Sequence, residues 1–304
     1  MQMPKPSMSR CLTIWTLKEP EEIMLDILKA ILFGIVEGVT EWLPISSTGH
    51  LILLEEFVKF ENVSPNFSEM FDVVIQLGAI LAVVVLFIKQ ICPFCRKGHG
   101  YKQSGPLAYV NMDIMTLWFK ILAACVPAAV IGVLFDDVLN ELFYHWYVVA
   151  AALIVFGIAF IVVENWNKGR TPKVTALSGL TYKAALIIGI FQVIAAVFPG
   201  TSRSGATIVG ALLIGIARPV AAEFTFFLAI PVMFGASLLK IVKFGLAFTG
   251  TELAVLLVAM VAAFLVSVVV IRFLLTYIKK HDFKVFGWYR IVLGILVILF
   301  FLLR

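Results

Sequence analysis

The amino-acid sequence predicts an all-α, polytopic membrane protein: six transmembrane helices plus two re-entrant helical hairpins, arranged as an inverted-topology repeat. Three observations lead there. Of the 304 residues, 62% are hydrophobic and 14% charged, with a mean hydropathy of +1.03, whereas a soluble domain carries about 45–50% apolar and about 25% charged residues. Six apolar runs are long enough to cross a bilayer, which takes about 20 mostly apolar residues. Two further apolar regions are each cut by a polar segment containing Gly or Pro, and these two regions are copies of one another. The composition excludes both a water-soluble enzyme and a disordered chain.

Taken in order, residues 1–23 are mixed polar and lack the apolar core and small-residue cleavage site of a signal peptide. They read as a mobile leader, with Met24 as an alternative start. Residues 24–164 form a first repeat, 165–183 a basic linker and 184–304 a second repeat. The first repeat opens with apolar residues 27–43, which run into Pro44-Ile45-Ser46-Ser47-Thr48-Gly49-His50 and then a short apolar stretch before Glu55-Glu56. The second opens with residues 184–198, runs into Pro199-Gly200-Thr201-Ser202-Arg203-Ser204-Gly205, and resumes over 206–216. Each half-segment is too short to cross alone. Lipid cannot satisfy free N–H and C=O groups, so such breaks survive only when buried in protein or lining a wet cavity. Pro199-Gly200 argues against one continuous helix, because proline removes a donor and breaks the ladder. Three spans follow each hairpin: 70–88, 117–135 and 146–163 after the first, then 222–239, 253–271 and 285–303 after the second.

The copies align Gly34-Ile35 with Gly189-Ile190, Glu37 with Gln192, Glu41 with Ala196, Pro44 with Pro199, Ser47 with Ser202 and Thr48 with Arg203. A hairpin returns to its own side and three spans are an odd number, so the second copy is inverted relative to the first. The two polar tips are therefore predicted to meet near the midplane. Loop charge orients the chain. Lys89, Arg96, Lys97 and Lys102, then Lys168, Arg170 and Lys173, then Lys279, Lys280 and Lys284 fall on one side, which the positive-inside rule makes cytoplasmic. Asp136, Asp137 and Glu141 lie opposite. Both termini and the entrance of the first hairpin then face outward from the cell (inner or plasma) membrane.

The net charge of +5 belongs to those loops. No basic patch is interleaved with aromatic platforms, so nucleic acid is not an expected partner. Cys11, Cys92, Cys95 and Cys125 do not make a disulfide framework in a chain of this length. Cys92-Pro-Phe-Cys95, with His99 behind it, is half a zinc site without a second ligand pair, and reads as loop thiols.

Glu37 and Glu41 share one helix face, together with Gly34 and Gly38. Ionisable groups inside an apolar segment are functional candidates by default. This pair can hold a hard divalent cation, or one member can act as general base; a polar hinge at the lipid interface is the structural alternative. Ser46, Ser47, Thr48 and His50 offer a hydroxyl beside an imidazole, the makeup of an activated nucleophile, although Ser-Ser-Thr-Gly also suits a turn or helix cap. In the second tip, Arg203 stands among Ser202, Ser204 and Thr207 at the start of a half-helix. That setting fits a phosphate, or an ion pair with Glu37 or Glu41. A divalent cation and an arginine at one locus suit phosphoryl chemistry.

Glu37-Gly-Val-Thr-Glu41, the Ser46–His50 tip and Pro199-Gly-Thr-Ser-Arg-Ser-Gly-Ala-Thr207 resemble the two signatures of the undecaprenyl-diphosphate phosphatases, the bacitracin-resistance family. The resemblance extends over nearly everything from Met24 onward, including a buried Gln76 in the first span. It implies an integral membrane hydrolase that removes one phosphate from a polyprenyl diphosphate, regenerating the monophosphate carrier for cell-wall glycans. It also implies a divalent cation, Mg2+ or Ca2+, and action at the outer face. Position by position, Glu37 and Glu41 fall in the acidic, metal-binding motif. Ser47 and His50, with Glu41, fall on nucleophilic or acid–base positions. Arg203, with Ser46, Thr48, Ser202, Ser204 and Thr207, falls on the phosphate-binding set. The expected partners are the lipid diphosphate and the bilayer, with a homodimer left open. The rival reading is a transporter for polyprenyl phosphate or a small anion, since inverted repeats with broken helices also build transporters. The nucleophile, Ser47, His50 or water, stays open at this level.

Overall fold

The computed structural model describes residues 20–94, 109–245 and 247–304. Regular structure among them is helical. The first hairpin consists of α1 (Pro20–Thr40) and α2 (Ser47–Phe57), and the second of α7 (Tyr182–Val197) and α8 (Arg203–Leu213). Between them come α3 (Phe67–Val74), α4 (Gln76–Ile91), α5 (Met112–Phe143) and α6 (Trp146–Trp166); after them come α9 (Arg218–Phe244), α10 (Gly250–Tyr277) and α11 (Lys284–Leu303). A short 3₁₀ turn, Leu177–Gly179, precedes α7.

Six of these helical stretches are long and apolar enough to span a bilayer: Phe67–Ile91, Met112–Phe135, Trp146–Trp166, Arg218–Phe244, Gly250–Tyr277 and Lys284–Leu303. They contain all six predicted runs. The first span is made of two segments meeting at Ile75, so Gln76 begins α4 and is half-buried rather than buried in mid-helix. Helix α1 starts at Pro20, so the end of the 1–23 segment is helical. Cys11, Cys95, Arg96, Lys97, His99 and Lys102, and the side chains of Asp136 and Asp137, lie outside the described residues. Of the other thiols, Cys92 is half-buried and Cys125 is buried in α5.

Both helix–break–helix elements end where they begin. After α2, Lys59 O accepts from Lys29 Nζ at 2.7 Å and the Asn62 N–H donates to Asp26 Oδ2 at 3.1 Å, tying the exit of the hairpin to the first turns of α1. After α8, Gly215 O accepts from the Lys173 N–H at 2.7 Å and the Ala217 N–H donates to Val174 O at 2.9 Å. The chain therefore turns back on itself at each break.

The helices pack in matching pairs through small residues. Helix α1 lies on α10 at Gly34, where a Cβ would come 2.4 Å from Ala259 O; α7 lies on α5 at Gly189, where a Cβ would come 2.3 Å from Ala124 O. Gly34 and Gly189 are the aligned positions of the two copies. Helix α6 crosses α11 at Gly157 and Gly287, each with its would-be Cβ 2.7 Å from the other's carbonyl oxygen. Side chains such as Leu257, Val261 and Leu265 face outward, as lipid-facing residues do. The side chains of Glu37, Glu41, Ser47, Gln192, Thr201, Ser204, Thr207, Thr225 and Arg290 are buried.

Candidate active site

The two tips meet. Arg203, the first residue of α8, donates from Nη2 to Glu41 Oε1 at 2.7 Å, and Ser204 Oγ donates to the Glu41 carbonyl at 3.2 Å. The other carboxylate oxygen, Oε2, accepts from Ser47 Oγ at 2.9 Å. A hydroxyl, a carboxylate and a guanidinium thus form one chain across the two hairpins. Arg203 is held from α9 as well, by the Thr225 carbonyl at 2.9 Å and Met233 Sδ at 3.3 Å. Thr207 Oγ1 supports the same turn, bonding Arg203 O at 2.9 Å and Thr225 Oγ1 at 2.9 Å.

Local sequence explains the placement. Ser46 and Ser202 are the N-cap residues of α2 and α8, and each side-chain oxygen accepts from the N–H of the glycine three residues on, Gly49 at 3.3 Å and Gly205 at 3.2 Å. Both serines carry positive φ, 76° and 67° respectively, a region that costs a non-glycine residue about 1–3 kcal/mol and occurs at functional turns. Their caps start two helices at the junction, so two positive helix ends with free N–H groups converge where Glu41 and Arg203 meet, a setting that favours an anion.

The cap geometry corrects the alignment of the copies. Ser46, not Ser47, is the structural counterpart of Ser202; Ser47 therefore corresponds to Arg203, and Gly49 to Gly205. The second tip has one more residue between its proline and its capping serine. The divergence between the copies is thus serine against arginine at the first helical position, not threonine against arginine.

The remaining predicted residues divide. Glu37 is fully buried, one turn before Glu41, and neither of its oxygens has a hydrogen-bond partner. Its counterpart Gln192 is buried and unpartnered in the same way. His50 bonds neither Ser47 nor Glu41: Nδ1 pairs with Ser46 O at 2.7 Å, and Nε2 with the Tyr289 hydroxyl at 2.7 Å, the two rings stacked. Since a carbonyl only accepts, Nδ1 carries the proton and Nε2 accepts from tyrosine. Ser202 Oγ also contacts Ser204 Oγ at 3.1 Å. Thr48 is half-buried beside Ser47 and takes no part in these contacts.

Residues 30–296 match the family described as bacitracin resistance protein BacA. The chain belongs to this family. It is 62% identical over 282 residues to an undecaprenyl-diphosphatase of Desulfitobacterium hafniense, covering 92% of this chain and 98% of the relative. It is 58% identical to undecaprenyl-diphosphatase 1 of Clostridium acetobutylicum over 92% of this chain and 98% of that protein. An undecaprenyl-diphosphatase of Streptococcus mutans is 54% identical over 93% of this chain and 98% of its own length.

Four participants, Thr225, Met233, Tyr289 and Arg290, escape the motifs that identify the family. Thr225 and Met233 come from a span whose pattern reads as lipid-facing and core residues, with nothing to set them apart. Tyr289-Arg290 is different, because Arg290 is a lone charge inside the last span. The rule that singles out Glu37 applies equally to it.

Proposed function

We infer that this chain is a membrane phosphatase that hydrolyses undecaprenyl diphosphate to undecaprenyl phosphate and inorganic phosphate, recycling the lipid carrier and conferring bacitracin resistance. The observation that carries the chemistry is the Ser47–Glu41–Arg203 chain: a hydroxyl 2.9 Å from a carboxylate that is itself 2.7 Å from a guanidinium. A nucleophile and base within hydrogen-bond reach, with the base oriented by a third group, is the arrangement of an activated nucleophile.

On this reading the diphosphate enters at the junction of the tips. It offers Arg203 a more highly charged partner, which releases Glu41 Oε1 and raises the basicity of Glu41. Ser47 Oγ attacks the terminal phosphorus as its proton passes to Glu41. The bond from that phosphorus to the bridging oxygen breaks, and the electron pair leaves on the lipid monophosphate. Water then displaces the serine oxygen, which recovers the proton from Glu41, while both protons of the water leave with the phosphate as dihydrogen phosphate. Arg203 and the N–H groups of the α2 and α8 first turns balance the charge that develops on the phosphoryl oxygens. His50, engaged at both nitrogens, supports the Ser46 turn and leaves proton transfer to Glu41.

The donor set fits a hard divalent cation, Mg2+ or Ca2+. Glu37 offers two buried oxygens without partners, and an unpaired buried carboxylate is costly unless a cation or proton joins it. Among the described residues no third Asp, Glu, His or Cys converges with this pair, which suits an ion that keeps waters and substrate oxygens in its shell. When bound, such an ion neutralises phosphate charge.

The reading also includes two inverted repeats, 24–164 and 184–304, joined by the 165–183 linker. Their hairpins re-enter the bilayer from opposite faces, and the termini and entrance lie on the outer face of the cell membrane. The matched Gly34 and Gly189 contacts support the repeat, and the shared side of Lys168, Arg170, Lys173, Lys279, Lys280 and Lys284 supports the orientation.

Purified protein in detergent micelles, with no sealed compartment, should release inorganic phosphate from undecaprenyl diphosphate. Trapped enzyme should carry phosphate on Ser47. Absence of phosphate release would leave the transporter reading; release without a phosphoenzyme, retained in Ser47→Ala, would make water the nucleophile.

A further inference from the structure

Helix α11 contributes two adjacent residues to the junction, and the second has no assigned role. Arg290 is completely buried. Its Nη2 donates to Gly200 O at 2.9 Å and Thr201 O at 2.6 Å in the second tip, and its Nη1 donates to Pro44 O at 3.3 Å in the first. These carbonyls lie in the two breaks, where the helical ladder has been interrupted. In a dry interior each would otherwise cost several kcal/mol. Among the described residues no carboxylate forms an ion pair with Arg290, and its hydrogen bonds go to backbone carbonyls.

The surroundings are shaped to admit this one group. The Gly157–Gly287 crossing brings α11 against α6, with Arg290 just beyond Gly287 on α11. The Phe156 ring lies 5.8 Å from its guanidinium carbon. At Gly205, in the first turn of α8, a Cβ would come 2.7 Å from Arg290 Nη1. The preceding residue, Tyr289, meets the first turn of α2 through His50. One stretch of α11 therefore touches the start of both half-helices that carry Ser47 and Arg203, and a planar fork of donors joins their backbones.

We propose that Arg290 is the positioning residue of this site: by holding the carbonyls of both broken tips, it sets the register in which Ser47, Glu41 and Arg203 meet. The inference rests on the phosphatase reading. Arg290 acts through the backbone and donates to neither Glu41 nor Ser47. Lysine cannot replace it, because a single ammonium lacks the rigid fork that spans three acceptors.

The test uses full-length protein in detergent and measures kcat and KM for phosphate release from undecaprenyl diphosphate, with thermal melting alongside. Arg290→Lys should lower kcat about 100-fold, as misplacement of reacting groups by about 1 Å does, with KM nearly unchanged. Gly205→Ala keeps the guanidinium and its charge but pushes Nη1 away from Pro44 O, and should lower kcat in the same sense. Because both changes act on one contact, the double variant should be no slower than the slower single variant. If Arg290→Lys does not fold, Gly205→Ala decides alone. Wild-type kcat in a folded single variant, losses that multiply in the double variant, or losses that track a drop in melting temperature would each overturn the proposal. Failure of the phosphatase reading looks different: the wild-type protein itself would release no phosphate.

Discussion

Ser47 and Glu41 face each other across the break between α1 and α2, the serine hydroxyl donating to carboxylate Oε2 at 2.9 Å. Glu41→Gln keeps the size of the side chain and a hydrogen bond to Ser47 but cannot take a proton. Turnover should fall about 10²- to 10⁴-fold, the usual contribution of a positioned general base, while the protein stays monodisperse in detergent. Normal phosphate release by Glu41→Gln would remove Glu41 from the proton path.

Arg203 donates to Glu41, to Thr225 O and to Met233 Sδ at once, a fan of donors that an ammonium cannot reproduce. Arg203→Lys should therefore behave like a loss, slowing turnover by about 10²- to 10³-fold, as removal of a donor to developing oxyanion charge does. Steady-state kinetics on the purified variant measure this directly; a lysine variant with wild-type kcat would show that charge alone suffices.

Glu37 makes the cation prediction. Chelation should abolish wild-type activity, and added Mg2+ or Ca2+ should restore it. Glu37→Gln copies the residue that the second half holds at Gln192, removing a buried unpaired charge. In the presence of chelator the variant should melt at the same temperature or higher than wild type, because an amide is cheaper to bury than a lone carboxylate. Its activity should require more cation for half-maximal rate. An unchanged cation titration would move the metal away from Glu37.

Close helix contact predicts a stability pattern. A methyl at Gly34 or Gly189 would meet a backbone carbonyl at 2.4 or 2.3 Å, so either Gly→Ala change should destabilise by about 1–3 kcal/mol, the cost of overpacking. Gly235, inside α9, has open space where its Cβ would stand. Gly235→Ala should be neutral or stabilising by up to about 1 kcal/mol, because alanine is the better helix former. Melting in detergent separates the three; equal behaviour at all of them would contradict the packing described above.

Much of this protein is legible from the sequence by itself. The six spans follow from apolar length, because lipid accepts only segments that satisfy their own backbone. The two breaks follow from Pro44 and Pro199-Gly200 set within apolar runs, and the acids and the arginine stand out because charges there are expensive. The motifs around Glu37, Ser47 and Arg203 carry the family. Only the tertiary structure decides which partner each group takes. It gives Arg203 to Glu41, leaves Glu37 without one, turns His50 toward Tyr289, and brings Arg290 from the far end of the chain to both tips. It also decides the register of the repeat, since a single extra residue after a proline is invisible to residue matching but not to backbone angles at Ser46 and Ser202. The physical reason is range. Burial of apolar length is local and additive along the chain, whereas a hydrogen bond between side chains depends on ångström-scale placement by helices distant in sequence.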